Sequence, residues 1–350
     1  MDAKNSALCP RRSAELISTN SKDVSISQHG VVNTSKIIFD CLKTNKYSFK
    51  VWKEHELHPK EMNKETVDWI FVLDCLNFSF WVEDEYEPWK VSFKGKNYEG
   101  YWALCAGINR ALKEGIPLIK PSFIATITTS QLQHIFRSET STKMPLLKER
   151  AEILNEAGKF LMENYQGSFA NMISKCNHSA QKLLKLITTS FRGFRDEGTF
   201  NNHKVSFYKR AQILIADIWA CFEGNTWGSF DDIEIITMFA DYKVPQSLIH
   251  LKVLEYSSDL MDKLRMGKTI PSGDHLEMEI RGNSIWAVEH LYQTVKKMAL
   301  NDNEFACKSP REFAQCLNSI IIDFYLWDFA KEKVEKITDL PCHKTRTIFY

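Results

Sequence analysis

The chain has 350 residues, of which 44% are hydrophobic and 25% are charged, a composition typical of a globular protein with a sizeable core. The 45 Lys and Arg residues balance 44 Asp and Glu residues, and this near-zero net charge argues against a large non-specific nucleic-acid surface. The sequence has neither a run of about 18 apolar residues nor an N-terminal secretion signal, so we expect a cytoplasmic protein without a membrane span.

The first 28 residues are rich in Ser, Asn and Lys and have weak hydrophobic periodicity. They predict a loose N-terminal arm that contains one short helix near RRSAELIST. Residues 29–350 contain no repeat, no low-complexity tract and no linker, and this predicts a single domain.

The N-terminal third combines helical and extended patterns. VVNTSKIIFDCLKT has helical spacing, whereas VDWIFVLDCLNFSFW is dense in β-branched and aromatic residues and predicts backbone that is at least partly extended. WKVSFKGKNYEGYW predicts two short strands around Gly95. YWALCAGINRALKEG has apolar residues at helical spacing and predicts a helix that ends at Gly115.

After Ile116 the hydrophobic period is mainly helical. The segments with this period are TTSQLQHIFRS, LLKERAEILNEAGKFLMENY, SAQKLLKLITTSF, VSFYKRAQILIADIWACFE, VPQSLIHLKVLEYSSDLMDKL, SIWAVEHLYQTVKKMAL and PREFAQCLNSIIIDFYLWDFAKEKVEKI. The sequence therefore predicts a mainly α protein with a small β element in its N-terminal third.

Cysteines and histidines give little sign of a metal site. Nine cysteines are widely spaced, without a CxxC pair, and favour buried reduced thiols over disulfides or zinc: Cys9, Cys41, Cys75, Cys105, Cys176, Cys221, Cys307, Cys316 and Cys342. No Walker loop, GxGxxG, HExxH or GxSxG motif is present. His55 and His58 are three residues apart, and we expect a surface pair rather than metal ligands.

Acids in apolar segments are the more informative residues. Asp323 lies in SIIIDFYLWDFA, where an unpaired charge would cost several kcal/mol. It is therefore paired, protonated or directed into a polar cavity. The alternative is a packing acid that is bonded to an indole or a backbone amide. Arg210 and Asp217, seven residues apart, predict an ion pair.

Asp241 lies in MFADYKVPQ, between two aromatic residues and shortly before a predicted helix. One interpretation is helix capping, because a carboxylate accepts hydrogen bonds from backbone amides of a first turn. Pro245 suits the first helical position, which would make Val244 the cap and leave Asp241 three residues outside the helix. The spacing therefore favours a role other than capping.

Aromatic residues occur in the same segments as these acids. They are Phe78, Phe80, Trp81, Trp89, Tyr101, Trp102, Phe239, Tyr242, Tyr325 and Trp327. Aromatic walls beside carboxylates describe a pocket for a planar heterocycle, and a carboxylate beside a sugar can stabilise an oxocarbenium ion. The pattern permits an N-ribosyl hydrolase without selecting one.

Six blocks of the sequence resemble the queuosine salvage protein family, whose members are queuosine 5′-phosphate N-glycosylases/hydrolases. The blocks are LDCLNFSFW, YEGYWALCAGINRALKEGIPL, VSFYKRAQILIADIW, ITMFADYKVPQ, EMEIRG and IIIDFYLWDFA. The resemblance runs from about Ser35 to the C-terminal TRTIFY. It implies a fold similar to helix-hairpin-helix DNA glycosylases and makes residues 29–350 the catalytic domain.

The resemblance also implies hydrolysis of queuosine 5′-monophosphate to queuine and ribose 5-phosphate, which supplies queuine for tRNA modification. No cofactor or metal is implied, and the expected partner is the small-molecule substrate, with neither nucleic acid nor membrane. Asp241 would be the catalytic carboxylate. His55, Phe239 and Asp323 would line the pocket, with Trp327 and Asp328 carried over beside them.

The residues themselves suggest additional contacts. Phe78, Trp81 and Tyr242 are further candidates for the substrate-binding wall. Lys204, with His203 or Lys209, is the candidate for holding the phosphate. Two other functions stay open: a non-catalytic queuine or nucleotide carrier, and a helical tRNA-binding or interaction protein, which the near-zero net charge disfavours.

Overall fold

The computed structural model describes residues 6–44, 46–305, 309–332 and 340–350. The helices are α1 (Pro10–Asn20), α2 (Gln28–Lys43), α3 (Val51–Glu54), α4 (Lys64–Cys75), α5 (Gly100–Lys113), α6 (Pro121–Ile124), α7 (Thr129–Ile135), α8 (Leu147–Asn164), α9 (Phe169–Ser174), α10 (Ala180–Ser190), α11 (Lys209–Cys221), α12 (Val244–His250), α13 (Ser258–Arg265), α14 (His275–Leu300), α15 (Pro310–Cys316) and α16 (Ser319–Glu332). The strands are β1 (Val24–Ile26), β2 (Lys90–Phe93), β3 (Lys96–Glu99), β4 (Glu197–Phe200), β5 (His203–Ser206) and β6 (Leu254–Tyr256). The mainly α prediction is confirmed.

The chain divides into two compact units. Unit 1 comprises residues 1–49, 196–212 and 233–346, and unit 2 comprises residues 50–195, 213–232 and 347–350. The predicted boundary at residue 28, between an arm and a single domain, stays a prediction, as does the likeness to helix-hairpin-helix glycosylases.

Unit 1 is built around α14, a helix of 26 residues that packs against α1, α2, α12 and α16. Asp274 caps α14 by accepting a hydrogen bond from the Leu276 amide at 2.8 Å. Gly282 lets α1 approach closely, because a Cβ atom there would lie 2.5 Å from the side chain of Ile17.

The N-terminal segment contains the predicted short helix, as α1, but it is not loose. Ala14 and Ile17 are fully buried, and the Leu8 amide donates to the Lys204 carbonyl at 3.0 Å. Strand β1 pairs antiparallel with β6, and the buried Glu279 carboxylate accepts the backbone amides of residues 22–24. These contacts anchor the segment to unit 1.

The hairpin of β4 and β5 is a second strand pair that the sequence reading missed. Asn201 and Asn202 form its turn with φ angles of +46° and +63°. Positive φ at both central residues is the geometry of a type I′ turn, in which Asn is favoured. The Asn-Asn pair was therefore the available signal for this hairpin.

In unit 2, the predicted extended backbone of VDWIFVLDCLNFSFW is wrong for residues 67–75, which are helical. Asn63 caps this helix, α4, by accepting the Thr66 amide at 2.9 Å. Every residue from Thr66 to Cys75 is buried, so the helix has no polar face to reveal its period. Elsewhere in unit 2 the hairpin of β2 and β3 around Gly95 is confirmed, and α5 ends at Lys113, two residues before Gly115.

Two of the long helical segments are interrupted. The segment VPQSLIHLKVLEYSSDLMDKL forms α12, β6 and α13 instead of one helix. The segment PREFAQCLNSIIIDFYLWDFA forms α15 and α16. The predicted helical continuation at residues 333–337 lies outside the described residues. Arg210 and Asp217 are both buried on α11, and their ion pair stays a prediction.

In the part of the chain that the structure describes, no helix is long and apolar enough to cross a membrane.

The cysteine prediction is confirmed in part. Among the described residues, eight cysteines form no disulfide, and four of them are buried: Cys75, Cys105, Cys176 and Cys221. Cys9, which precedes α1, and Cys316, at the end of α15, are exposed. Cys307 lies outside the described residues.

Candidate active site

Asp323 is buried in α16, with an exposed fraction of 4%. The three residues before it, Ile320 to Ile322, are fully buried, and the Asn318 carboxamide caps the helix by accepting the Ile321 amide at 3.0 Å. The Asp323 Oδ1 atom accepts a hydrogen bond from the Phe239 amide at 2.9 Å. The alternative of an acid bonded to a backbone amide is therefore confirmed.

Burial holds the pKa of the Asp323 carboxyl well above its ordinary value. The Phe239 amide opposes this shift, and so does the positive charge of Lys209. The negative charges of Asp241 and Asp328 reinforce it. Burial and the neighbouring carboxylates therefore favour the neutral form of Asp323, beside the half-buried Asp241.

Asp241 does accept helix-capping bonds, contrary to the interpretation from spacing. Its Oδ1 atom accepts the Lys243 amide at 2.7 Å and the Val244 amide at 3.0 Å. The helix begins at Val244, one residue earlier than Pro245 suggested, and a carboxylate just outside a helix reaches these amides through an Asx turn. Among the described residues, nothing donates a hydrogen bond to Oδ2.

The backbone before Asp241 is fixed at several points. The Thr237 amide donates to the Gln212 Oε1 atom at 2.8 Å, and the Gln212 Nε2 atom donates to the Thr237 hydroxyl at 2.8 Å. The Ala240 carbonyl accepts a hydrogen bond from Arg281 at 2.9 Å. Neither Gln212 nor Arg281 was predicted from the sequence, although Arg281 lies in the EMEIRG block.

The aromatic candidates of unit 1 differ in exposure. Phe239 is buried, with its ring centroid 6.2 Å from that of Phe324. Tyr242 and Trp327 are half-buried, and the Lys331 ammonium lies 3.6 Å from the Trp327 ring centroid. Trp327 is one helical turn beyond Asp323, so both side chains lie on neighbouring parts of α16.

Asp328 lies near Asp323 on α16 and has a specific partner. The Tyr47 hydroxyl donates to the Asp328 Oδ2 atom at 2.5 Å. The Tyr47 ring in turn packs edge-on against Tyr325, at 5.5 Å between centroids. Asp328 thus adds a second negative charge near Asp323, and Tyr47 is a residue of this site that the sequence reading missed.

The phosphate candidates separate into two groups. Lys209 is buried at the start of α11, close enough to Asp323 for its charge to lower the pKa of that carboxyl. His203 and Lys204 are exposed at the β4–β5 turn, where the His203 Nδ1 atom bonds to the Asn201 carbonyl at 2.8 Å. Lys209 is therefore the basic candidate that joins the acidic residues of unit 1.

His55 and His58 belong to unit 2, and the predicted surface pair is wrong. His58 is buried: its Nδ1 atom donates to the Trp52 carbonyl at 2.6 Å, which leaves Nε2 to accept from the Tyr101 hydroxyl at 2.8 Å. His55 is half-buried and stacks on Trp102 with centroids 3.3 Å apart. Aromatic packing rather than solvent therefore surrounds this pair.

Phe78 and Trp81 also belong to unit 2. Phe78 is buried, and the Arg150 guanidinium lies over its ring at 4.0 Å from the centroid. One face of Phe78 is thus occupied by a cation–π contact. Trp81 is half-buried, and its stacking role stays a prediction.

Comparison with known proteins gives one family. The family model described as queuosine salvage protein matches residues 57–350. The chain is 60% identical to a queuosine 5′-phosphate N-glycosylase/hydrolase of Nematostella vectensis, over 99% of each chain. It is 44% identical to the protein of the same name from Bos taurus, over 98% of this chain and 99% of that protein. The Schizosaccharomyces pombe protein of that name is 40% identical, over 96% of this chain and 98% of that protein.

Proposed function

The chain belongs to the queuosine salvage protein family, and we propose on this basis that it hydrolyses the N-glycosidic bond of queuosine 5′-phosphate, releasing queuine and ribose 5-phosphate for queuine salvage. The observation that carries the proposal is the carboxyl pair of unit 1. Asp323 is buried with a raised pKa, and the half-buried Asp241 is close enough to contribute to that shift. A neutral acid beside a carboxylate is the arrangement that glycoside hydrolysis uses.

Each carboxyl has a distinct role in the proposed reaction. As the bond between the ribose C1 and the base breaks, its electron pair moves to the base, and the neutral Asp323 donates a proton there. Asp241 faces the electron-poor C1, either as nucleophile or as electrostatic stabiliser. Water supplies the new hydroxyl group on C1, and its released proton returns to Asp323.

The remaining residues would bind the substrate. Asp328 supplies negative charge for the cationic amine arm of the base, and Tyr47 holds its carboxylate. Lys209 is our candidate for the phosphate. Phe239, Tyr242 and Trp327 are the proposed pocket wall in unit 1. Substrate contacts by His55, Phe78 and Trp81, which lie in unit 2, stay predictions.

The test of the activity uses purified protein and queuosine 5′-phosphate, with the products measured by mass spectrometry. Wild type should release queuine, and Asp241→Asn should lose at least about 10²-fold in rate. Asp241→Asn retains an oxygen that can accept the Lys243 and Val244 amides, so its thermal stability serves as the control for folding. Binding without release by wild type would instead support a carrier.

Phosphate recognition has its own test. Lys209→Met should raise KM for the 5′-phosphate more than for the unphosphorylated nucleoside, because only the nucleotide loses an ionic contact. Lys204→Met, at an exposed position, is the matched control. Equal effects on both substrates would remove Lys209 from the phosphate site.

We also propose that the substrate is the free nucleotide in the cytoplasm rather than intact tRNA. The net charge of +1 supports this, because phosphate backbones bind to an excess of basic residues. A gel-shift titration with tRNA should give no complex under conditions in which the nucleotide is hydrolysed.

A further inference from the structure

Arg281 forms a buried cluster in unit 1 that no role in substrate binding explains. Its exposed fraction is 2%. Its Nε atom donates to the Ala240 carbonyl at 2.9 Å, and one terminal nitrogen donates to Asp196 Oδ1 and to Glu277 Oε1, both at 3.0 Å. The other terminal nitrogen donates to Asp196 Oδ2. We call Arg281, Asp196, Glu277 and the Ala240 carbonyl the arginine clamp.

The clamp joins two segments that carry proposed active-site residues. Ala240 is bonded directly to Asp241. Asp196 is tied to the start of α11, because its Oδ2 atom accepts the Lys209 amide at 3.2 Å and its carbonyl accepts the Phe207 amide at 3.0 Å. The Phe207 ring also lies under the guanidinium, at 4.1 Å from its central carbon. One side chain therefore links the backbone at Asp241 to the backbone at Lys209.

The contact to Ala240 is the part of the clamp that charge compensation does not require. Asp196 and Glu277 already compensate the buried guanidinium charge. The Nε atom instead fixes a carbonyl one residue before the proposed catalytic carboxylate. Only a guanidinium has donors in one rigid plane that reach three acceptors at once, whereas a lysine ammonium is a single flexible point charge.

We propose that Arg281 is a positioning residue for the hydrolysis: through the Ala240 carbonyl it sets the position of the Asp241 carboxylate. The inference rests on the proposed function and extends it to a residue that touches no substrate. Asp323 fixes the same segment from the other side, through the Phe239 amide. Arg281 and Asp323 together hold the two residues that precede Asp241.

The test compares Arg281→Lys with Glu279→Gln, in the full chain, with queuosine 5′-phosphate as substrate. Glu279 is a matched control: it lies on the same helix and is fully buried, but it accepts backbone amides of residues 22–24 instead of fixing Ala240. Arg281→Lys should lower kcat by about 10²-fold with little change in KM, because a small displacement of a catalytic group affects the transition state most. Glu279→Gln should lower the melting temperature and leave kcat unchanged.

The outcomes separate this inference from the proposed function. Queuine release by wild type, together with full kcat in Arg281→Lys, would overturn the role of Arg281 alone. A wild type that releases no queuine would overturn both. If Arg281→Lys does not fold, Asp196→Asn takes its place, since it removes the charge that orients the guanidinium. It should show the same loss of kcat at little-changed KM, and an unchanged kcat would contradict the inference.

Discussion

At the scale of single residues, Asp323 holds backbone at Phe239 and is also the proposed general acid. Its Oδ1 atom is engaged with the Phe239 amide, and its raised pKa favours the neutral acid. Asp323→Asn keeps an oxygen for that amide but has no proton to give, so we expect nearly wild-type thermal stability and a rate lower by about 10²- to 10⁴-fold.

The pH profile adds a second readout for Asp323. Because the proposed acid must be protonated, the wild-type rate should fall as pH rises through its elevated pKa. In Asp323→Asn this alkaline decrease should be missing from the residual activity. An alkaline limb identical in both proteins would show that another group causes it.

Asp241 and Asp323 could be predicted as candidate site residues from the sequence, but their hydrogen-bond partners could not. A carboxyl group among isoleucines is expected to be protonated or hydrogen-bonded. Asp323 accepts a hydrogen bond from the Phe239 amide, and its raised pKa favours protonation. The capping by Asp241 was misjudged because the helix starts one residue before the assumed position, and start positions depend on backbone geometry. Arg281 was missed because its partners, Asp196 and Ala240, are distant in sequence.

At the scale of elements, Asp68 on α4 caps another helix and should make unit 2 sensitive to pH. It accepts the Phe169 amide at 2.9 Å, at the start of α9, yet burial raises its pKa from 3.8 to about 6. The folded state therefore binds this proton more tightly than the unfolded state. The stabilisation is complete below about pH 4 and is lost as pH rises to about 6.

Asp68→Asn isolates this contribution, because it keeps the shape of the side chain without the ionisation. Relative to the variant, wild type should lose about 2 kcal/mol of unfolding free energy between pH 4 and pH 6. Urea titrations of both proteins across this range measure the difference. A constant difference would contradict the raised pKa.

Gly158 controls how α8 approaches α6. A Cβ atom at this position would lie 2.5 Å from the Ala125 amide nitrogen and 2.6 Å from the Pro121 carbonyl oxygen. Because backbone atoms cannot rotate away, Gly158→Ala should lower the unfolding free energy by about 1–3 kcal/mol despite the better helix propensity of Ala. Lys159→Ala, at the next and exposed position of the same helix, should cause no loss. Equal stability of the two variants in urea would argue against the close approach.

The elements show where a single sequence is informative. Helices with one apolar face, such as α2 and α10, could be predicted from their period. Helix α4 could not, since it is buried on all sides and its β-branched and aromatic residues also suit a strand. Its Asn63 cap was the local signal that distinguished the two.

At the scale of the whole molecule, the resemblance of long sequence blocks identified the family, whereas the division into two units could not be predicted. Unit 1 is assembled from three separate stretches of chain, and helix α11 contributes residues to both units. Hydrophobic periodicity describes local segments and contains no information on which distant segments pack together. This is also why roles for His55 and Asp241 could be inferred only through the resemblance.

The cysteines offer a probe of the two units in solution. All four buried cysteines, Cys75, Cys105, Cys176 and Cys221, lie in unit 2, whereas the exposed Cys9 and Cys316 lie in unit 1. Burial also raises the pKa of Cys176 to about 11 and that of Cys221 to about 12, so their reactive thiolate forms are scarce at neutral pH. Ellman's reagent should therefore modify Cys9 and Cys316 rapidly in the native protein.

The buried thiols should react only when unit 2 opens, so their labelling rate measures the free energy of that opening. Peptide mass mapping over time assigns each modification, and full labelling in denaturant is the control for thiol content. The substitution Gly158→Ala, within unit 2, should accelerate the labelling of the four buried cysteines and leave the rate at Cys9 unchanged. Labelling of Cys221 as fast as Cys9 in the native protein would contradict the burial on which this prediction depends.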